Sequence, residues 1–303
     1  MAKIPFTRLC SGILALALAI SLLYLTFANQ RQNKFDNNKI RVLASLRCWG
    51  SLAEQIGGNK VSVISLINQT NQDAHDYEPS AFDSLAVQNA QLIIINGSGY
   101  DEFLNRLISS TNTMAEKLNL SISAKEKINQ NPHLWFDALD LPIFGKQILN
   151  QLSKIDSKDQ AYFQNQYQVF LSDLRPLQDK IKLLGKKFIK LPIAYTERLP
   201  QYLTNDLGWF NQTPFNFSSS VENNSDISPQ DFAQMQDLIQ HKQIKMLIYN
   251  TQTQNSITNQ IKELAKQKQI PVIGLTEVMP RQFNNLIAWN LSVLTNMQNS
   301  LNS

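Results

Sequence analysis

Two histidines with matching surroundings are the residues of this chain best suited to chemistry. His75 lies in the segment DAHDYEPS and His133 lies in NPHLW, and the whole sequence contains only three histidines. Each follows a short turn-forming pair and precedes an aromatic residue by two positions. Neutral imidazole is the commonest nitrogen ligand of divalent metals. The matched pair predicts one metal site built from two loops, whereas a single loop histidine could equally be bonded to backbone.

Two carboxylates occupy positions from which they could complete this site. Glu197 follows a predicted strand over 187–195, and Glu277 follows a predicted strand over 270–275. Ligands of parallel α/β sheets bind beyond the carboxyl ends of the strands. Two imidazoles and two carboxylates suit zinc, and the second carboxylate also suits manganese or ferrous iron. Taken alone, each glutamate is more often a surface or salt-bridged carboxylate.

Strands and helices alternate along most of the chain and must position these side chains. Between 139 and 184 no strand is predicted, and apolar residues recur at helical spacing. This pattern predicts one helix, a break near Asp156 and a second helix of about 27 residues, which is far longer than the average helix. Apolar strands between amphipathic helices indicate parallel sheets covered on both faces. The predicted fold class is α/β, with two lobes, each a mostly parallel sheet covered by helices, joined by a long rigid α-helix. Strands are predicted over 40–44, 61–67, 92–95, 187–195, 245–249 and 270–275.

The N-terminus has the pattern of an exported protein. Lys3 and Arg8 precede the uncharged run 13–28, which indicates a signal peptide or membrane anchor over 1–28. The run is short for a membrane span of about 20 apolar residues, and cleavage after Ala28 would use a poor site. Both a cleaved leader and an uncleaved anchor therefore stay open. The predicted location is extracytoplasmic, in the periplasm or at the cell surface.

The remaining sequence divides into a tether, two lobes and a linking helix. The polar, aperiodic segment after the leader predicts a flexible tether. The predicted boundaries are 29–39 for the tether, 40–155 for the N-terminal metal-binding lobe, 156–185 for the linking helix and 186–303 for the C-terminal metal-binding lobe.

Composition limits the classes of function. Of 303 residues, 43% are hydrophobic and 17% are charged, which is typical of a globular protein rather than a disordered one. The net charge of +4 is mild, and no basic stripe with interleaved aromatic residues is present. We therefore expect no nucleic-acid partner.

The two histidine loops resemble those of the solute-binding proteins of zinc and manganese ABC transporters. That family has a D-P-H-x-[YF]-E-P-[ST] loop and a D-P-H-x-W loop, which are matched here by DAHDYEPS and NPHLW. The stretches VLASLRCWGSLAEQIGG, IYNTQTQ and IPVIGLTEVMP also resemble a subgroup of the family. The resemblance extends from about Ile40 to the C-terminus. Two positions depart from the pattern, with Ala74 replacing the usual proline and Asn131 the usual aspartate.

The resemblance implies a ligand set and a function. The metal ligands would be His75, His133, Glu197 and Glu277, with the metal held in a cleft between two lobes. The metal would be zinc or manganese, bound as cargo and not as a catalytic cofactor, and the partners would be an ABC permease and, through the N-terminal segment, the membrane. The protein is expected to be a monomer. Asn250 and Gln252, after the strand KMLIY, could orient the ligands.

Two other classes of function compete with a metal receptor. One is an exported zinc-dependent metalloenzyme, and the other is a metal-stabilised surface adhesin. The sequence contains no H-E-x-x-H, no P-loop, no G-x-G-x-x-G and no G-x-S-x-G motif. The four strongest candidates would all serve as ligands, whereas a catalytic metal needs an open position and a separate base. We therefore expect a receptor and not an enzyme.

Overall fold

The protein, seen in a computed structural model that describes residues 34–74, 76–123 and 131–302, contains two parallel sheets. Their strands in chain order are β1 (Ile40–Leu46), β2 (Val61–Ile67), β3 (Leu92–Ile95), β4 (Glu116–Asn119), β5 (Pro192–Tyr195), β6 (Phe210–Asn211), β7 (Leu247–Asn250) and β8 (Val272–Leu275). The spatial orders are β2-β1-β3-β4 and β6-β5-β7-β8. The two lobes thus share one topology, in which the chain changes direction beside β1 and beside β5. Ligands of such sheets bind at that point, beyond the carboxyl ends of the strands.

Helices cover these sheets. They are α1 (Arg47–Gly57), α2 (Ala81–Asn89), α3 (Glu102–Ser110), α4 (Leu120–Ser123), α5 (Leu141–Ile155), α6 (Gln160–Lys187), α7 (Gln201–Asp206), α8 (Phe215–Glu222), α9 (Pro229–Gln240), α10 (Ser256–Gln267) and α11 (Leu286–Asn302). Polar residues cap several of them. At the start of α2, the Ser80 hydroxyl accepts from the Asp83 N–H, and the Asp83 carboxylate accepts from the Ser80 N–H in return. Ser228 and Asn255 accept in the same way at the starts of α9 and α10.

Helix α6 forms the spine of the molecule. Its 28 residues span about 42 Å, and the helix continues through Pro176. It packs on α1 and α5 of the N-terminal lobe and on α11 of the C-terminal lobe. The buried side chains of the spine recur at helical spacing and are Phe163, Phe170, Leu174, Leu177, Ile181 and Leu184.

The apolar core runs through both lobes. One cluster includes β1 to β3, the inner face of the spine, and the face of the second sheet that lies against α11. A smaller cluster fills the opposite face of the second sheet, beneath α8, α9 and α10. Fully buried members of the large cluster include Trp49 and Phe144, whose rings meet edge to face at 5.4 Å. The lobes therefore share one core and are not two separate globules.

The predicted fold class is confirmed, and individual elements differ from the predicted ones. The strand predicted over 187–195 begins only at Pro192, because α6 continues to Lys187 and Lys190 then adopts a positive φ of 49°. Strands β4 and β6 were not predicted, since both are short and lie at sheet edges, where few apolar side chains are needed.

The predicted tether also differs where it is described. Phe35 is buried in the core of the N-terminal lobe, and the Asp36 N–H donates to the Ser62 hydroxyl at 2.9 Å. Residues 35–39 therefore pack on the lobe and are not a free linker. The predicted leader over 1–28 lies outside the described residues. Within the described ranges, no helix is both long enough and apolar enough to cross a bilayer.

Candidate metal centre

His133 is buried at the seam between the lobes, and its ring orientation is fixed. The Asn131 side-chain oxygen accepts from the His133 N–H at 3.1 Å and lies 2.6 Å from Nδ1. The Asn131 nitrogen donates to the Arg198 carbonyl and to the Gln201 oxygen, each at 2.9 Å. Because a carbonyl can only accept, the amide can face only this way. His133 Nδ1 therefore carries the proton, and Nε2 carries the lone pair that can bind a metal.

The loop that carries His133 is held by the end of β3. The Asn96 amide donates to the Pro132 carbonyl at 2.9 Å and accepts from the Trp49 indole at 2.9 Å. Asp101 accepts from the backbone N–H groups of Asn96 and Gly97 at 2.6 and 2.9 Å. Burial raises the pKa of Asp101, while these hydrogen bonds oppose that rise. A buried network of hydrogen bonds thus positions this loop without any contact to a metal.

Glu197 and Glu277 lie side by side at the carboxyl ends of β5 and β8. Both are buried, with 3% and 8% of their surfaces exposed. A single amide nitrogen, Asn250 Nδ2 at the end of β7, lies 3.0 Å from Glu197 Oε2 and 2.5 Å from Glu277 Oε1. The orienting role predicted for Asn250 therefore has a geometric basis, since one donor holds both carboxylates.

It is unfavourable for both of these buried carboxylates to carry a negative charge. Burial raises the pKa of Glu197 to about 8, and the nearby charge of Glu277 adds to the rise. Glu197 Oε1 is also buried and has no hydrogen-bond partner among the described residues. A divalent cation would neutralise both carboxylates and bind that oxygen. The chemistry of these donors therefore fits a metal ion.

The loop that carries Glu277 is pinned to the opposite lobe by Arg47. Its guanidinium donates to the carbonyl oxygens of Pro280 at 2.8 Å, Phe283 at 2.9 Å and Met279 at 3.3 Å. Planar guanidinium with several donors suits such a cluster of carbonyls. Glu277 is therefore held close to the N-terminal lobe, although it belongs to the C-terminal one.

Tyr100 joins the two halves of the site. Its hydroxyl donates to Glu277 Oε2 at 2.7 Å, and its ring centroid lies 6.1 Å from that of His133. Burial and the Glu277 charge raise the pKa of Tyr100 well above its ordinary value, so this hydroxyl stays protonated. Sequence reasoning missed Tyr100, although its position in NGSGY, just after a buried strand, was an available signal.

His75, the other predicted histidine ligand, lies outside the described residues. In the part of its loop that is described, the Gln72 carbonyl accepts from the Gln252 amide at 3.3 Å, and the Tyr77 hydroxyl donates to Asp83 at 3.1 Å. Among the described side chains, which exclude His75, no three histidine, cysteine or acidic groups are close enough to hold one ion. The four-ligand set therefore stays a prediction. Tyr100 and Asn250 link three of its members.

Two further residues with reactive side chains, Cys48 and His241, lie outside this site. Cys48 is fully buried, and burial raises the pKa of its thiol, which indicates a packing residue. His241 is exposed at the end of α9, and its Nδ1 atom lies within hydrogen-bond distance of the backbone and carboxylate oxygens of Asp237 in the same helix.

Known proteins resemble this chain over most of its described length. The family model described as "Zinc-uptake complex component A periplasmic" matches residues 42–298. The metal ABC transporter substrate-binding lipoprotein SloC of Streptococcus mutans is 27% identical over 193 residues, which cover 59% of this chain and 62% of that protein. The manganese-binding lipoprotein MntA of Halalkalibacterium halodurans is 26% identical over 150 residues, covering 48% and 50%. The chain thus spans between half and 62% of the length of these two relatives.

A solved structure shares the fold. The periplasmic zinc binding protein TroA from Treponema pallidum superposes with a TM-score of 0.73, covering 87% of this chain and 99% of that one. The sequence identity is 15%, so this likeness shows the architecture alone.

Proposed function

We propose a metal-receptor function for this chain, which belongs to the family of periplasmic zinc-uptake complex component A proteins. The protein captures a divalent transition metal outside the cytoplasm and delivers it to an ABC permease. The observation that carries this proposal is the buried pair Glu197 and Glu277, whose carboxylates share the amide nitrogen of Asn250. Tyr100 connects this pair to His133, because its hydroxyl donates to Glu277 and its ring centroid lies 6.1 Å from that of His133.

The proposed ligands are His75, His133, Glu197 and Glu277. Two imidazole nitrogens and two carboxylates suit zinc in a tetrahedral site, and they suit manganese when a carboxylate binds through both oxygens or water is added. Relatives named for manganese and the family description of a zinc-uptake component support both metals. The ion is cargo and not a cofactor. All four groups would be used as ligands, which leaves no base for catalysis and supports a receptor rather than an enzyme.

The proposed partners are the permease and the membrane. Relatives are named as substrate-binding lipoproteins of metal ABC transporters, which supports delivery to such a transporter and an extracytoplasmic location. In this chain residues 1–28 would act as a cleaved leader or as a retained anchor, and the retained anchor would hold the protein at the membrane. The receptor would act as a monomer and would bind no nucleic acid.

The deciding experiment is metal analysis of protein purified without chelator, followed by calorimetric titration with zinc and with manganese. We expect one metal per chain and competition between the two ions for the same site. The variant His241→Ala is the matched control, because His241 is exposed and remote from the site, and it should bind as wild type does. Absence of stoichiometric binding, or binding that survives loss of Glu197 and Glu277, would remove the basis of the proposal.

A further inference from the structure

Asn131 and Gln252 cross the seam between the lobes in the same way. In each residue, the amide oxygen accepts hydrogen bonds from a proposed ligand residue of the same lobe, and the amide nitrogen donates hydrogen bonds to the facing lobe. Arg47 and Asn290 also cross the seam, but they donate to backbone oxygens of residues that are not proposed ligands. Tyr100 crosses it to the carboxylate of Glu277, and its side chain has a hydrogen bond to one loop only among those described.

Asn131 connects His133 to the segment that carries Glu197. Its oxygen holds both the backbone N–H and Nδ1 of His133, and its nitrogen donates to the carbonyl of Arg198, the residue that follows Glu197. Asn131 is completely buried, and its own carbonyl accepts from the Tyr202 hydroxyl at 2.8 Å. One side chain therefore fixes the tautomer of a histidine in one lobe and the position of a carboxylate loop in the other.

Gln252 connects Glu277 to the loop that carries His75. Its oxygen accepts from the backbone N–H groups of Glu277 at 2.7 Å and Val278 at 3.1 Å. Its nitrogen donates to the carbonyl of Gln72, three residues before His75, at 3.3 Å. Because both oxygen partners are donors and the nitrogen partner is an acceptor, this amide can also face only one way.

We propose that Asn131 and Gln252 are interlobe positioning residues, each of which couples one histidine loop to one carboxylate loop across the cleft. This inference rests on the proposed function, since the four loops are those of the proposed ligands. The coupling requires a neutral amide. An aspartate or glutamate keeps the accepting oxygen but places a carboxylate oxygen against a backbone carbonyl, which turns an attraction into a repulsion.

Hydrogen exchange of the metal-free protein tests the coupling without depending on metal. In Gln252→Glu, the amides of Glu277 and Val278 should keep their protection, because the accepting oxygen remains, while exchange over residues 69–74 rises about fivefold or more. In Gln252→Leu, both regions should exchange faster. The control Gln254→Glu alters an exposed amide that donates to the Thr251 carbonyl and accepts from Lys262, both in the same lobe, and it should change neither region.

Metal dissociation tests the second coupling by the sign of the effect. If Asn131 only orients His133, then Asn131→Asp should hold the imidazole more strongly and slow metal release. If Asn131 also ties the lobes together, release into excess chelator should be about fivefold faster, and exchange over residues 198–201 should rise in the metal-free protein. The control Asn223→Asp changes an exposed amide that donates to the backbone and hydroxyl oxygens of Ser219 in α8, and it should release metal as wild type does.

Each outcome separates this inference from the proposed function. Unchanged exchange at 69–74 in Gln252→Glu, or slower release with unchanged exchange at 198–201 in Asn131→Asp, would overturn the coupling. If the exchange changes occur as expected but the wild-type protein binds no metal, the coupling stands as a structural device and the receptor function fails.

Discussion

The two halves of the proposed site differ in how completely their polar groups are hydrogen-bonded without metal. In the N-terminal half, the Asn131 side-chain oxygen accepts from Nδ1 of His133, and Asn96 holds the loop that carries this histidine. In the C-terminal half, two buried carboxylates share one amide nitrogen, and one oxygen of Glu197 has no partner among the described residues. Burying an ionised carboxylate without a compensating charge is costly, so a group in this position binds a proton or a cation. One half therefore supplies geometry, and the other supplies the attraction for a cation.

The largest expected effect comes from removing that attraction. Replacing both Glu197 and Glu277 with Gln should weaken metal binding by about a hundredfold or more, since two anionic ligands are lost. The metal-induced stabilisation, about 2.7 kcal/mol when free metal is a hundredfold above its dissociation constant, should largely disappear. Thermal melting with and without metal measures it. A double variant that keeps the full metal-induced rise in melting temperature would show that the ion belongs to one lobe.

Replacing a histidine should lower the affinity for metal but leave the attraction of the two carboxylates for a cation. His133→Ala, and separately His75→Ala, should lower affinity by more than about tenfold, or about 1.4 kcal/mol. The carboxylates would still bind a cation weakly. Calorimetry checks this, and wild-type affinity in both single variants would place the site elsewhere.

The pH dependence should distinguish the two halves. Histidine ligation predicts that affinity falls as pH drops through roughly 6.5. The pKa of Glu197, raised to about 8, moves the onset higher, so affinity should begin to fall below pH 8 by up to about tenfold per unit for each proton displaced. Calorimetry in buffers of different ionisation enthalpy counts those protons. An affinity that is flat from pH 8 to pH 5 would exclude both contributions.

The same raised pKa has a consequence for the metal-free protein. Between the ordinary pKa of about 4.5 and the folded value of about 8, the folded state retains a proton that the unfolded state has lost. The contribution of Glu197 to the free energy of unfolding of the metal-free protein should therefore be fully present below pH 4.5. It should be lost as the pH rises to 8. Denaturant titrations at several pH values would detect the slope, and Glu197→Gln should remove it. An unchanged slope in that variant would assign it to another group.

The smallest expected effect concerns the contact between the halves. Tyr100→Phe removes the hydroxyl that donates to Glu277 while keeping the ring packed against His133 and Trp135. One hydrogen bond to a charged group corresponds to about 1.5 to 3 kcal/mol, of which the bound metal would replace a part. We therefore expect about a fivefold loss of affinity. Loss as large as that of the double glutamate variant would mean that Tyr100 itself is a ligand.

The sequence predicted the overall architecture better than the short strands at the edges of the sheets. The spine and the buried strands have clear apolar patterns, and the strands over 61–67 and 92–95 were predicted with the bounds that the structure has. Strand β6 consists of two residues, one of them the exposed Phe210, and no local pattern distinguishes it from a loop. The apolar run near Ile189 looked like a strand, but this side chain is 75% exposed after the end of the spine.

For the site, the sequence predicted ligands and not their supports. Histidine loops and carboxylates after strands are visible as motifs, and Asn250 and Gln252 were expected to orient ligands because they follow a strand. The contacts of Tyr100 with Glu277 and of Asn131 with Arg198 join residues that are 177 and 67 positions apart. Such contacts depend on how the lobes dock, which local spacing does not encode.

The core that continues from one lobe into the other beneath the spine makes the molecule mechanically stiff. Swinging the lobes apart as rigid bodies would expose apolar surface, and each 400 Å² of it would cost about 10 kcal/mol. Thermal energy is about 0.6 kcal/mol, so displacements of that size are rare. Low-energy motion is thus confined to the loops that line the cleft. Cargo would then leave through local loosening of those loops, and not through a wide opening of the whole receptor.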